Sequence, residues 1–582
     1  MPISLIEGNS LLAVDVGATT TRAALFDVVE GVYRFIAAGQ APSTAEAPLK
    51  DIGLGVRDAI ESIQSVTGRI FLDKERGLIV PTQPDGSGVD SFAATLSAGS
   101  AIRTAIVGLL SDVSLESARR LAETTYSRIV ERLGLTDHRR PEEQIDALLR
   151  ARPDLIVLTG GTDGGASRSI QKMLDTVGLA CYLMPPEKRP AVLFAGNNNL
   201  TDDVNKLMAD LTPALHLSPN VRPSLETEDL DPAMNELAHI VTAIRKGQLR
   251  GVEELEGWSN GHLLPGNYAV GRMIRFLSSG ASGGVLGVDL GASAASIAAG
   301  VNGELSLRTY PQFGLGENLA ALLQSGDLED FMRWLSLDIH QNVVRDHIYQ
   351  KSLHPSILPA TPEERVIAQA IARQSLYLAM RAARRDFPSA ARTSRPDLMP
   401  FFELILASGA VITGAPTPGQ SLLILLDAIQ PVGVTRFLLD RNNLLPMLGA
   451  AAEQNRLLPV HVIESGAFHN LAWTVSVVST APYGTPVLQA RLQYADKNEA
   501  RIEVKHGSLE ALPLSLGQTA RLALQPLHRA DIGFGPGRAQ TITVEGGALG
   551  VVIDARGRPL QLPSDAVRRR ELFKKWLWTL GG

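Results

Sequence analysis

The chain has 582 residues, with 61 acidic against 55 basic side chains and a formal charge of −6, which excludes the basic excess of a general nucleic-acid binder. Its 45% apolar and 20% charged residues suit a globular protein long enough for roughly three to five domains or subdomains of about 100–200 residues. The single cysteine, Cys181, excludes an internal disulfide framework; no uncharged apolar run reaches the ~18–20 residues of a membrane span, and MPISLIEGNS has no basic region ahead of its apolar residues, so the expected compartment is the cytoplasm.

Leu11 to Val14 is an apolar run that reads as a buried strand and delivers Asp15 to its end. The turn Gly17-Ala18-Thr19-Thr20-Thr21 follows, and then a second strand, Arg22 to Phe26. A strand, Asp-x-Gly, hydroxyl-rich turn and strand make a hairpin suited to a phosphate chain. Gly17 allows backbone N–H groups near an anion, the threonines add hydroxyl donors, and Asp15 can hold a hydrated Mg2+. No Walker loop occurs in the chain.

Gly31 to Ala37 reads as a further strand and Asp51 to Val66 as a helix, with Pro81 to Ser91 a turn-rich loop. Thr104 to Leu110 is a predicted strand. Ser114 is placed to cap a predicted helix from Leu115 to Leu133, with Gly134 at its end. Asp154 to Thr159 is a short apolar strand emptying into Gly160-Gly161-Thr162-Asp163-Gly164-Gly165, and Ala191 to Asn199 repeats the pattern. Such strands are typical of a parallel sheet with a site at its carboxyl edge, or of simple tight turns between sheet and helix. Asp231-Pro232 opens a helix running to Lys246-Gly247.

Val285 to Ala299, VLGVDLGASAASIAA, aligns without gaps on Leu11 to Leu25, pairing Asp15 with Asp289 and Gly17 with Gly291. Two such units suggest a duplicated fold with a cleft between its halves. Gly280 to Gly284 forms a G-x-S-x-G, but it precedes a strand instead of joining strand to helix, so it is not an esterase elbow. Thr361-Pro362-Glu363-Glu364 is a capping box opening a helix that ends near Arg384-Arg385-Asp386, where the basic last turn suits the helix dipole. Glu403 to Ala410 is a strand breaking at Ser408-Gly409, with space at its exit for a flat ring, and Leu444 to Ala451 opens a small-residue helix. From about Pro486 alternating runs predict an all-β segment, closed by a helix from Asp565 to Thr579 with a solvated basic face.

Two Asp-x-Gly hairpins, a Ser-Gly strand exit and a Leu-Gly-Ala-Ala helix resemble the phosphate and adenosine motifs of the actin, hexokinase and Hsp70-type ATPases. Within that group DVGATTTRAALFD, the run Ala98 to Leu109, PDLIVLTGGTDGG (Pro153 to Gly165) and LFAGNN (Leu193 to Asn198) resemble the glutamate mutase accessory family, MutL or GlmL, over about residues 1 to 475. The resemblance implies an α/β fold: a duplicated actin-like (ribonuclease H-like) ATPase with an inserted α/β subdomain and a C-terminal all-β extension. The expected boundaries are a first lobe over 1–275 with the insertion at about 95–200, a second lobe over 276–480, and a β-rich domain over 481–582 ending in a helix. It further implies an ATP- and Mg2+-binding accessory protein that protects, assembles or reactivates an adenosylcobalamin-dependent mutase, with that enzyme's subunits as partners. Carried over, Asp15, Gly17, Ala18, Thr19, Thr20 and Thr21 bind phosphate and metal. Asp289, Gly291, Ala292 and Ser293 form the second phosphate loop, Gly160, Gly161, Thr162 and Asp163 add nucleotide contacts, and Ser408, Gly409 and Ala410 face adenosine.

The second loop departs from the family's Asp-x-Gly-Gly-Ala-Thr-Thr-Asp: here Asp289-Leu290-Gly291-Ala292-Ser293-Ala294-Ala295-Ser296 lacks both threonines and the closing carboxylate. Fewer phosphate donors imply nucleotide binding with slow or absent hydrolysis. Two alternatives stay open. A small-molecule kinase of the same fold would need an acceptor-facing carboxylate, for which Asp163 is the one loop candidate; a degenerate scaffold would need no nucleotide turnover. No histidine pair has metal-ligand spacing on a helix, so metalloenzyme classes rank low.

Overall fold

The computed structural model describes residues 9–75, 77–391, 395 and 397–581. Met1–Gly8, most of the N-terminal stretch considered above, lie outside the described residues. β1 (Leu11–Val16), β2 (Thr20–Val29) and β3 (Val32–Pro42) form an antiparallel meander, and β4 (Ser91–Leu96) runs parallel to β1. The strand β1 is buried throughout because apolar layers cover both its faces. Leu12, Val14 and Val16 pack toward the helix Ile52–Thr67, while Leu11 and Ala13 belong to the core that includes Ile274 and Leu448. Asp51 caps that helix through the Gly53 N–H, and Gly68 closes it in the left-handed region.

The chain then leaves this lobe for an all-parallel sheet of β5 (Ile102–Val107), β6 (Ser127–Leu133), β7 (Leu155–Leu158), β8 (Ala191–Phe194) and β9 (Leu215–Leu217). Its order, β6-β5-β7-β8-β9, reverses at β5, the arrangement of a doubly wound domain. The insert therefore extends beyond the expected end near residue 200. It also corrects the long helix predicted over Leu115–Leu133. The helix is Ser114–Ala122, and Ser127–Leu133 is a strand. Thr124, Thr125, Ile129 and Val130 are β-branched, and a strand partner at β5 decides in favour of their sheet preference. Nor does Ser114 cap the helix: its Oγ accepts from the Leu109 and Leu110 N–H groups at 2.8 and 3.0 Å, closing the loop after β5.

The helix Asp231–Gln248 leads back to the lobe, where β10 (Leu263–Pro265) pairs parallel to β4 and completes the order β10-β4-β1-β2-β3. The second lobe repeats it: β11 (Val285–Leu290), β12 (Ala295–Val301), β13 (Glu304–Tyr310), β14 (Leu404–Ser408) and β15 (Gly433–Leu439) run in the order β13-β12-β11-β14-β15, with matching strand directions inside the meander. Duplication thus extends from the hairpin to the whole sheet. The helices Gly266–Ser278 and Leu444–Ala451, which follow the fifth strand of each lobe, lie against each other. A Cβ on Gly449 would stand 2.2 Å from the Ala269 carbonyl oxygen, so glycine sets how closely they approach.

The second sheet does not stop at five strands. β16 (His469–Ser476) joins β15, and the C-terminal segment contributes a separate sheet of β17 (Pro486–Tyr494), β18 (Glu499–Lys505), β20 (Thr519–Pro526) and β21 (Gln540–Glu545). Its β19 (Leu509–Leu512) and β22 (Val551–Asp554), however, extend the lobe sheet beyond β16. The segment after residue 480 is thus not self-contained. Arg556 bonds Asp427 of the second lobe at 2.7 Å and Asp554 at 2.9 Å, Arg373 bonds Asp427 at 2.8 Å, and all four side chains are buried. The terminal helix Ala566–Thr579 buries Phe573 and Trp576, with the Arg556 guanidinium 4.6 Å from the Trp576 ring.

Candidate functional site

Asp15 and Asp289 are held by the same device in each lobe. The register pairs Asp15 with Thr95 on β4 and Asp289 with Ser408 on β14. The Thr95 hydroxyl donates to Asp15 Oδ1 at 2.7 Å, and the Ser408 hydroxyl donates to Asp289 Oδ1 at 2.6 Å. Asn443, ahead of the second lobe's helix Leu444–Ala451, crosses the cleft and donates from Nδ2 to Asp15 Oδ2 at 2.8 Å. Asp440 caps that helix through the Leu444 and Leu445 N–H groups at 2.8 and 2.7 Å.

The charge of Asp289 reaches both Asp15 and Asp440. Burial pushes Asp15 up to about 6, against the Thr95 and Asn443 hydrogen bonds and the Arg22 charge, and the Asp289 charge adds to the rise. Burial likewise pushes Asp440 up to about 6, with the Asp289 charge adding to it and the helix N–H groups and Arg22 opposing. Desolvation raises Asp289 too, while Ser408 and Arg22 pull it down. Arg22, the cross-strand partner of Asp15, therefore serves all three acids. Among the described residues Arg22 is the cation whose charge acts on all three carboxylates, so negative charge predominates around it.

The hairpin tips are built alike: the Gly17 N–H donates to the Thr20 carbonyl at 3.1 Å and the Gly291 N–H to the Ala294 carbonyl at 3.0 Å. Gly17 is needed for close approach instead of a left-handed φ, because a Cβ there would stand 2.6 Å from the Thr20 carbonyl oxygen. Ala18, Thr19 and Thr20 are half-buried at the first tip, and Ala292 and Ser293 at the second. The Leu315 and Gly316 N–H groups bond the Gly291 and Ala292 carbonyls at 3.0 and 2.9 Å, tying the second tip down.

Three of the expected contacts are not brought to this mouth. Thr21 lies on the face of β2 opposite Arg22: it is buried, and a Cβ on Gly55 of the helix Ile52–Thr67 would lie 3.2 Å from its Oγ1, because side chains alternate along a strand. Ser408 directs its hydroxyl to Asp289, leaving Gly409, with φ 108° and Leu290 close against it, and the exposed Ala410 at the strand exit. The loop Gly160, Gly161, Thr162, Asp163 lies at the carboxyl end of β7, whereas the insert meets the cleft at its other edge, where Tyr126 precedes β6. That separation is roughly 20 Å along the strands at about 3.3 Å per residue. The loop is also internally satisfied. Buried Asn197 accepts from Gly164 N–H and donates to the Gly165 carbonyl, and Asn220 donates to the Gly161 carbonyl and to Asp163. Burial is the largest single influence on Asp163 and raises it, but the Asn220 and Asn198 hydrogen bonds together outweigh it and hold the carboxyl below its ordinary range.

Sequence reasoning passed over Thr95, Arg22 and Asn443. Arg22 was visible in the alignment of the two copies, where it falls on Ser296, the cross-strand partner of Asp289. Thr95 ends its strand on a hydroxyl as Ser408 does. Asn443 had no local signal.

Two lobes of one strand order, with an acidic hairpin from each and Asn443 of the second bonded to Asp15 of the first, make a duplicated actin-like fold carrying an α/β insert and C-terminal β strands. The chain matches the family described as MutL protein over residues 11–466 and belongs to it. Protein MutL of Clostridium tetanomorphum is 25% identical over 398 residues, which cover 64% of this chain and 78% of that one. Among solved structures, a diol dehydratase-reactivating factor in nucleotide-free form is 11% identical, covering 78% of this chain and 99% of its own, with a TM-score of 0.27. A glycerol dehydratase reactivase is 11% identical, covering 72% and 95%, with a TM-score of 0.26. Among the described residues no helix is long and apolar enough to cross a membrane.

Proposed function

We propose that this protein binds Mg·ATP between its lobes and serves as an accessory factor to an adenosylcobalamin-dependent mutase, protecting, assembling or reactivating it. The observation that carries the nucleotide reading is the convergence of Asp15, Asp289 and Arg22, with Asn443 bridging the lobes onto Asp15. Mg2+ fits this donor set: it takes one or two carboxylates, completes its octahedron with phosphate and water, and neutralises phosphate charge. Asp15 and Asp289 would hold it. Among the described residues no three His, Cys, Asp or Glu side chains form a protein-only cation cage. Gly17, Ala18, Thr19 and Thr20 offer the first tip to phosphate, and Gly291, Ala292 and Ser293 the second.

Hydrolysis is expected to be slow. The second tip offers the Ser293 hydroxyl where the family pattern has two threonines, and preorganised donors carry most of phosphoryl-transfer catalysis. A kinase reading is disfavoured because Asp163, its candidate carboxylate, is bonded by Asn198 and Asn220 at the insert's far edge. The mutase assignment is supported by membership of the MutL family and rests on the partner that the family resemblance implies. Two measurements test the pair of claims. Calorimetry with ATP should show binding that needs Mg2+; its absence refutes the nucleotide reading. Capture from the native lysate, read by mass spectrometry, should enrich cobalamin-dependent subunits, and enrichment of none refutes the partner.

A further inference from the structure

The insert reaches the cleft at one turn, Glu123–Tyr126, between the helix Ser114–Ala122 and β6. Tyr126 is 5% exposed, and its hydroxyl accepts from the Asn267 backbone N–H at 3.1 Å. Asn267 follows Gly266 at the start of a first-lobe helix. A Cβ on Gly266 would lie 3.5 Å from the Tyr126 hydroxyl and 3.4 Å from Asp15 Oδ1, so the phenol and the carboxylate flank one position. The Asn267 side chain donates to the Thr124 carbonyl and to Thr309 Oγ1, each at 2.7 Å. The Thr309 N–H donates to the Glu123 carbonyl at 2.6 Å, and its hydroxyl meets Ser296, the partner of Asp289, at 3.3 Å. One turn of the insert is thus bonded to both lobes beside both carboxylates. Burial, and the Asp289 and Asp15 charges after it, raise the Tyr126 phenol above its ordinary range, against its hydrogen bonds with the Asn267 N–H and the Ser97 side chain. A core needing only bulk would be filled by phenylalanine, without a hydroxyl to desolvate.

We propose that Tyr126 is a positioning residue of the cleft, supplied by the insert, through whose hydroxyl site occupancy and the seating of the insert depend on each other. This rests on the nucleotide reading above. If Mg·ATP binds better with the phenol in place, then the phenol's turn is held more firmly when Mg·ATP is bound, since coupling between two binding equilibria is reciprocal. The insert has a second, independent attachment. Asp386 of the second lobe bonds Arg119 and Arg120 of the helix Ser114–Ala122 at 2.8 and 3.2 Å, and Arg308 of β13 at 3.1 Å. Removing the Tyr126 hydroxyl therefore leaves the insert docked and isolates the coupling.

The test measures Mg·ATP affinity by calorimetry, and hydrogen exchange over Glu123–Leu133 with and without Mg·ATP, in wild type and in Tyr126→Phe. Loss of one buried hydrogen-bonding hydroxyl should weaken Mg·ATP about tenfold. Nucleotide should slow exchange over Glu123–Leu133 in wild type and not in the variant, while nucleotide-free exchange there stays the same. A hydroxyl that only satisfies the Asn267 N–H, with no coupling to the site, would change basal exchange and leave the nucleotide effect intact. Thr309→Val, which loosens Asn267 without touching the phenol, should reduce the same effect in part and serves if the first variant fails to fold. Wild-type affinity together with wild-type protection in both variants overturns the inference. Failure of the wild type itself to bind Mg·ATP overturns the nucleotide reading and this inference with it, and is seen before any substitution is made.

Discussion

Replacing Asp15 with asparagine should stabilise the nucleotide-free protein while abolishing its nucleotide site. The Asp15 carboxyl ionises near 6 in the folded chain, against 3.8 ordinarily, because burial disfavours its charge. The folded state therefore holds the proton more tightly, and this group's contribution to stability is full below about pH 4 and lost as pH rises through 6. At pH 8 the loss is about 3 kcal/mol, at ~1.4 kcal/mol for each pH unit between the two values. Asparagine carries no such loss, and its amide can still accept from Asn443 and donate to Thr95 once flipped. The melting temperature of Asp15→Asn should exceed that of wild type by roughly 6 °C or more at pH 8 for a lobe of this size. The gap should close at pH 4. Mg·ATP should raise the wild-type midpoint and leave the variant's unmoved. Scanning fluorimetry from pH 4 to 8 reads all of this. A variant less stable at pH 8, or a gap that does not change with pH, would show that Asp15 is a structural anion held by its partners and not a strained one awaiting a cation.

The remaining predictions concern the parts around it. Arg22→Gln removes the cation shared by three acids, so the nucleotide-free midpoint should fall at pH 8 more than at pH 5, with Mg·ATP weakened at least tenfold by calorimetry. Gly17→Ala must open the first tip, since its Cβ would meet backbone oxygen at 2.6 Å, whereas Gly291→Ala meets its nearest neighbour at an ordinary 3.5 Å; the first should cost about 1–3 kcal/mol and most of the ATP affinity, the second little of either. Truncation at Pro486 removes Arg556 from Asp427 and β22 from β16, and breaking a buried ion pair costs ~3–5 kcal/mol, so the shortened chain should expose its second lobe to protease; a truncated protein with wild-type midpoint and ATP affinity would refute this.

Both hairpins, their alignment, and the insert's Gly-rich strand exits were legible because they depend on local pattern: apolar runs that end on Asp or Gly. The register then located what pattern could not. Thr95 lies 80 residues from Asp15 and Ser408 119 from Asp289 in the chain, yet each sits one strand over from its aspartate. The helix predicted to Leu133 failed because Ile129, Val130 and Leu133 carry a spacing that either element can use, and the pairing of β6 with β5 is a long-range fact. The family resemblance put the Gly160–Asp163 loop among the nucleotide contacts, whereas the direction of β7 carries it to the opposite edge of the insert. Asn443 and Tyr126 reach the cleft from separate domains, and only assembly brings them there.

Duplication gave the two lobes one frame, and the differences between the copies divide their tasks. Opposite Asp15 stands Arg22; opposite Asp289 stands Ser296, bonded to Thr309. The first tip tolerates no Cβ at its glycine, while the second does and has two carbonyls fixed by Leu315 and Gly316. Charge and tight backbone geometry are therefore concentrated on the first copy, and the second supplies one carboxylate beside a tip hydrogen-bonded to Leu315 and Gly316. Such a division favours holding a nucleotide over cleaving it, since a phosphoryl-transfer site needs donors on both sides of the charge that develops. Single-turnover release of labelled phosphate measures the balance directly: a rate near that of active actin-like ATPases would mean that the first copy alone suffices for catalysis, contrary to the asymmetry described.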